Sequence, residues 1–233
     1  MKKIAICYSG QPRHIEESFP SHYATLIEPN KNYEVDIFAH IWNKESLEQN
    51  FFWPSAPERG EWGNNSIEII QKTWNPKKIE FENSKTFYSK DMTPDLRFPH
   101  PVNNIFSMFY SMSRVSKLQQ EYAINNNINY DYIIRIRTDL IFSNMIGIIS
   151  DYDPNFVHIK YEASPHLSYA VNDHFAIGNQ ENMNIYFSAY ENIRKMFEEK
   201  CAINPECLLG FNLKRKNIQI NLQKWHLTLW RDL

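Results

Sequence analysis

Glycine is scarce in this chain, six residues in 233, and the scarcity bears on two classes of phosphate site. A dinucleotide fingerprint or a P-loop needs repeated glycines at a strand-to-helix turn, and the turn after the first apolar run has Gly10 alone. The three cysteines, Cys7, Cys201 and Cys207, are odd in number and lack C-x-x-C spacing, which argues against a disulfide framework or a zinc cluster. A reducing, cytoplasmic setting fits that usage. No apolar run approaches the roughly 18 residues that span a bilayer, so membrane contact should be at most peripheral. The opening run Ile4-Ala5-Ile6-Cys7-Tyr8 is too short for a signal peptide and reads as a first strand. Net charge is −2, with Lys and Arg scattered, so there is no electrostatic footprint for nucleic acid.

What the chain has in abundance is aromatic surface: 15% of residues, with six Trp and thirteen Tyr. Such rings suit sugars as well as ordinary cores, and composition does not separate the two uses. At this length a single α/β domain buries roughly three quarters of its unfolded surface without a staple. No linker divides residues 1–233, which read as a single domain.

Read in order, strands and helices alternate. Residues 3–9 form a strand closed by Gly10 and Pro12, with Ser9, Gln11, Arg13 and His14 at its end. That loop could hold a nucleotide base, ribose or phosphate, or be a plain solvated turn. Residues 15–27 have helical spacing interrupted by Pro20, 33–42 alternate as a second strand carrying His40, 66–74 form a short helix and 78–82 a third strand. This βαβαβ order is the opening half of a nucleotide-binding sheet. Residues 43–64 read as a surface insertion and 85–102 as a loop. The longest helix spans about 104–125, capped by Asn103 or Asn104, with Ser107, Ser111 and Arg114 able to face a ligand. Strands at 156–159 and before Gly178, a helix at 181–199, another at 205–213 and terminal strands at 218–220 and 226–231 complete the chain.

The stretch from Tyr130 to Phe142 reads as one buried strand with an anomaly. Alternation puts Ile133, Arg135, Arg137, Asp139 and Ile141 on one face and Tyr132, Ile134, Ile136, Thr138, Leu140 and Phe142 on the other. The second face is core. The first carries two guanidinium groups and a carboxylate, whose burial costs several kcal/mol unless partners compensate. Either Arg137 and Asp139 form a structural ion pair, or the charges belong to a site at the strand's carboxyl end, where open α/β sheets place ligands.

Four segments together carry a resemblance: Ile4 to Arg13, Val35 to Trp42, Tyr130 to Asp139, and Asn172-Asp173-His174-Phe175-Ala176-Ile177-Gly178. They resemble glycosyltransferases of the GT-A type found in bacterial surface-polysaccharide loci and in large viruses or phages. The resemblance runs over most of the chain and implies one Rossmann-like GT-A three-layer sandwich with a mixed, mostly parallel central sheet. Its first half, 1–142, would bind a nucleotide-sugar donor and its second, 143–233, a glycan or lipid-linked acceptor. The implied donor contacts are Ser9, Gly10, Gln11, Arg13, Arg135 and Arg137. A divalent metal, Mn²⁺ or Mg²⁺, is implied on an Asp-x-Asp motif, but the matching place reads Arg137-Thr138-Asp139 and keeps only the second carboxylate. Asp139 could still anchor a metal with help from phosphate and water, joined by His226 near the C-terminus, or Arg137 could neutralise the diphosphate itself. For base catalysis Asp173 comes first and Glu206 second, with helix capping as an ordinary explanation for Glu206. A non-catalytic nucleotide- or glycan-binding domain and a nucleotidyltransferase are the competing classes.

Overall fold

The computed structural model describes residues 1–43, 66–87, 91–94, 101–162 and 167–229. Most of the expected insertion at 43–64, and parts of the loops at 85–102 and 162–169, lie outside the described residues.

A seven-stranded sheet organises the chain. Its strands are β1 (Lys3–Gly10), β2 (Glu34–Asn43), β3 (Lys78–Asn83), β4 (Tyr132–Arg137), β6 (Val157–Lys160), β7 (Phe175–Gly178) and β8 (Ile220–Gln223), in the order β3-β2-β1-β4-β7-β6-β8. β1 pairs in parallel with β2 and β4, and β2 with β3. β7 alone runs against its neighbours β4 and β6, while β6 and β8 are parallel. The sheet is therefore mixed but mostly parallel, within an α/β architecture.

Side-chain alternation divides the core in two. Ala5, Cys7, Phe38 and Ile133 face α3 (Val102–Asn125), α4 (Gln180–Phe187), α5 (Ala189–Glu198) and α6 (Pro205–Arg215). Ile4, Ile6, Tyr8, Ile134 and Ile136 face the other way, toward α1 (Ile15–His22), Ile70, Trp74 and Trp225. Because both faces are covered, the β1 run is apolar throughout rather than alternating. Among the described residues no helix is long and apolar enough to cross a membrane.

Several expectations need correction. The run 130–142 is not one strand: β4 stops at Arg137, Thr138 and Asp139 turn, and β5 (Leu140–Phe142) pairs antiparallel with β9 (Leu227–Leu229) in a separate two-stranded ladder. The assignment of faces survives this break, since Leu140 and Phe142 still join Ile134 and Ile136 in one core. The helix expected at 181–199 is two helices, α4 and α5, parted at Ser188, whose hydroxyl donates to the Ile185 carbonyl. Neither Asn103 nor Asn104 caps α3; Pro101 holds that place, and Asn103 accepts from the Phe87 N–H at 2.7 Å. Pro20 does lie inside a helix, and after His22 the chain widens into a π-helical turn, Tyr23–Ile27. α2 (Ser66–Ile69) widens in the same way over Ile70–Trp74 before Pro76.

Candidate active site

β1 and β4 are neighbours whose onward connections diverge, because β2 lies beyond β1 on one side and β7 beyond β4 on the other. Such a switch point opens a crevice at the carboxyl ends of the strands. A cavity of about 390 Å³ occupies it, a size ordinary for small-molecule sites.

The strands supply one wall. Cys7 pairs with Arg135 and Ser9 with Arg137, and alternation carries Ser9, Arg135 and Arg137 to the face that covers Ala5, Cys7 and Ile133 with helices. Gly10 then takes φ +125°, a backbone that a side chain would strain, and the chain turns into Gln11 and Arg13. A second wall depends on the reversed strand. Since β7 is antiparallel to β4, the residues preceding it, not those following it, lie at the carboxyl edge. Asp173 and His174 are brought beside Arg137 in this way: the Arg137 N–H donates to the His174 carbonyl at 3.3 Å, and the Arg135 guanidinium donates to the same oxygen.

Two helix N-termini complete the cavity. Asn104 and Ser107 line it from the start of α3, and Pro205 and Glu206 from the start of α6. Asn204 caps α6, its side-chain oxygen accepting from the N–H groups of Glu206 at 3.1 Å and Cys207 at 3.3 Å. The Val171 N–H donates to the Glu206 carbonyl at 3.2 Å, which fastens this turn to the Asp173 segment. Both helices direct their positive dipole ends at the cavity.

Ser9, Gly10, Gln11, Arg13, Arg135, Arg137, Asp139, Asp173 and Glu206 thus meet in one place. His226 does not. It is exposed, beyond the end of the β5–β9 ladder where Phe142 pairs with Leu227, whereas the turn that carries Asp139 lies at the other end, where Leu140 pairs with Leu229. Ser111 and Arg114 also point elsewhere: Ser111 contacts His40 Nδ1 at 2.8 Å, and Arg114 forks onto Glu80. Trp42, Thr138 and Asn204 line the cavity without having been singled out, and His174 lines it as part of the Asn172-Asp173-His174 cluster. For Asn204 a signal existed, since Asn-Pro-Glu is an N-cap followed by Pro at N1.

A family profile matches residues 1–228. The chain belongs to DUF7796, a domain of unknown function. No curated protein matches it. Among the described residues, the matched stretch includes all that line the DUF7796 cavity except Leu229.

The charges of the DUF7796 site are arranged by role. Arg135 is 1% exposed, and burial pulls its guanidinium below the usual arginine range against the fields of Tyr186 and Asp173. Arginine's ordinary value is so high that it stays charged. Its Nε is buried without a hydrogen-bond partner, as are Ser9 Oγ and Gln11 Oε1. Burial opposes ionisation of Asp173, but His174, Arg135 and Arg137 outweigh it and hold the carboxyl below its ordinary range. Asp173 lies 3.4 Å from His174 Nε2. Burial, aided by the arginines, pushes that imidazole down to about 4 despite the Asp173 charge, so it is neutral at physiological pH and its contact with Asp173 is polar rather than ionic. Glu206 moves the other way, raised to about 7 by burial and by the charges of Asp173 and Glu162.

The divalent cation implied by the resemblance fits this donor set poorly. Arg137 stands where a first carboxylate is needed, and both oxygens of Asp139 accept from it, Nε to Oδ1 at 2.9 Å and Nη2 to Oδ2 at 3.0 Å. The structural ion pair and the site are therefore the same residues. Elsewhere, ligand atoms of His40, Glu80 and Glu82 lie within 4.8 Å of one another. Arg114 pairs with Glu80 and Lys85 with Glu82, so the acidic charge of that cluster is already balanced, and it does not line the cavity.

Proposed function

We propose that this DUF7796 chain is a glycosyltransferase that moves a sugar from a nucleotide-sugar donor to a hydroxyl of a glycan or lipid-linked acceptor. The observation that supports it most is the arrangement within one switch-point cavity: the arginines, with Asp139 paired to Arg137, on the β1–β4 wall and two further carboxylates, Asp173 and Glu206, on the β7–α6 wall. An anionic leaving group belongs against the first wall and an acceptor hydroxyl against the second.

In this reading the acceptor oxygen attacks the sugar's anomeric carbon as the bond to the diphosphate oxygen breaks. The bonding pair leaves with the diphosphate, whose charge the guanidinium groups stabilise. The hydroxyl proton passes to a carboxylate. Asp173 was the expected acceptor, but a carboxyl held ionised below its ordinary range is a weak base. Glu206, raised to about 7, is better matched to proton transfer at neutral pH. We assign it as the base, with Asp173 raising its proton affinity.

A screen of nucleotide sugars, read by released nucleotide with and without oligosaccharide acceptors, tests the proposal. Turnover with one donor, abolished by Glu206→Gln, is the expected result. No turnover and no nucleotide-dependent rise in melting temperature across the common uridine, guanosine, cytidine and thymidine donors would reject it.

A further inference from the structure

We propose that the ligand's diphosphate is held by the guanidinium groups of Arg135 and Arg137 and the hydroxyl of Ser9, without a bridging divalent cation. The inference rests on the reading of the cavity as a nucleotide-diphosphate site.

Three observations carry it. First, hard cations take six or more oxygen ligands and are anchored by carboxylates, and the one carboxylate in the expected motif is already engaged on both oxygens by Arg137. A cation placed on Asp139 would sit within ion-pair distance of a guanidinium, adding like charge to like charge. Second, the strand wall has donors in want of an acceptor. Ser9 Oγ and Arg135 Nε are buried without a hydrogen-bond partner, on residues 4% and 1% exposed, and both residues line the cavity. Leaving such groups unmatched disfavours the empty site, a cost that a bound anion would remove. Third, Ser9 and Arg137 are register partners on adjacent parallel strands and Arg135 lies two residues back on the same face. The three side chains thus form a patch fixed by the sheet rather than by a loop, as bidentate recognition of a phosphate requires. Gln11, with Oε1 also unmatched, adds an acceptor suited to a ribose or base donor on the same ligand.

The test is calorimetric titration of the full chain with inorganic pyrophosphate and, separately, with UDP and GDP, each in EDTA and again with Mn²⁺. Pyrophosphate and a nucleotide should bind in EDTA with affinity unchanged by Mn²⁺. Arg137→Gln should weaken both by about 10- to 100-fold, the scale of one lost charged hydrogen bond. Asp139→Asn separates the two pictures even if Arg137→Gln folds poorly: with no cation to hold, it should keep or tighten binding. Binding that appears only with Mn²⁺ and disappears in Asp139→Asn overturns the inference while leaving the transferase reading intact. Pyrophosphate binding in EDTA with no binding of UDP or GDP, nor of CDP or TDP titrated in the same way, supports the anion patch and rejects the transferase reading. Absence of pyrophosphate and nucleotide binding in EDTA overturns the inference.

Discussion

The Thr138 hydroxyl donates to the Gln11 carbonyl at 2.5 Å, tying together the two loops that border the crevice. The Thr138 carbonyl in turn accepts from Ser18 Oγ at 2.5 Å, so α1 holds the same turn from behind. Thr138→Val keeps the shape and removes the donor, leaving the Gln11 carbonyl with the Arg13 N–H alone, at 2.8 Å. Chemical denaturation should show a loss of about 0.5–1.5 kcal/mol, the net worth of one hydrogen bond, together with weaker nucleotide binding. A variant of unchanged stability and affinity would mean that the loops are held apart from this bond.

Glu206 makes two pH predictions. Activity should rise with pH through an inflection near 7 as its carboxyl ionises. In Asp173→Asn that inflection should move to lower pH, because one of the charges that raises it is gone. Stability has the opposite sign. The folded-state value of about 7 lies above the ordinary 4.5, so between them the folded chain keeps a proton that the unfolded chain releases. The contribution is complete below 4.5 and is lost as pH rises through 7. Glu206→Gln should flatten that decline in denaturation curves taken at intervals from pH 5 to 8, and an unchanged slope would place the titration elsewhere.

Arg135 should prove necessary to both stability and binding. Its guanidinium donates to the His174 carbonyl and faces the buried Asp173 carboxylate, and removing one partner of a buried charge pair costs about 3–5 kcal/mol. Arg135→Met should therefore melt below the parent temperature, with pyrophosphate affinity reduced as well. A parent-like melting temperature would show that Arg135 does not compensate the Asp173 charge.

Gly210 packs α6 directly on backbone. A Cβ built there would lie 1.7 Å from the Tyr169 carbonyl oxygen, which is main chain and has no rotamer with which to move aside. Gly210→Ala should cost at least the roughly 1–3 kcal/mol of ordinary overpacking. Because α6 carries Glu206 and Asn204, substrate turnover should fall as well. Parent-like stability in this variant would require α6 to shift without cost.

Much of this site was legible before any coordinates. The β1 run and its Gly10 turn, the charged face of Arg135 and Arg137, and the Asn172-Asp173-His174 cluster are local features of pattern and composition, and local features are what a sequence displays. Their burial is also readable, because a parallel strand covered on both sides must be apolar throughout. Three further facts depended on tertiary structure. The reversal of β7 brings Asp173 to the crevice, and strand direction is set by pairing across the sheet rather than by the residues of the strand itself. The break after Arg137 turns Asp139 back onto Arg137, while the β5–β9 ladder carries His226 away from the cavity, a separation no spacing of 87 residues could reveal. The proton affinity of Glu206 exists only because α6 is packed against the Asp173 segment: on the isolated helix its carboxylate would sit in water at a dipole that favours its charge, and in the folded chain burial and a neighbouring negative charge reverse that preference.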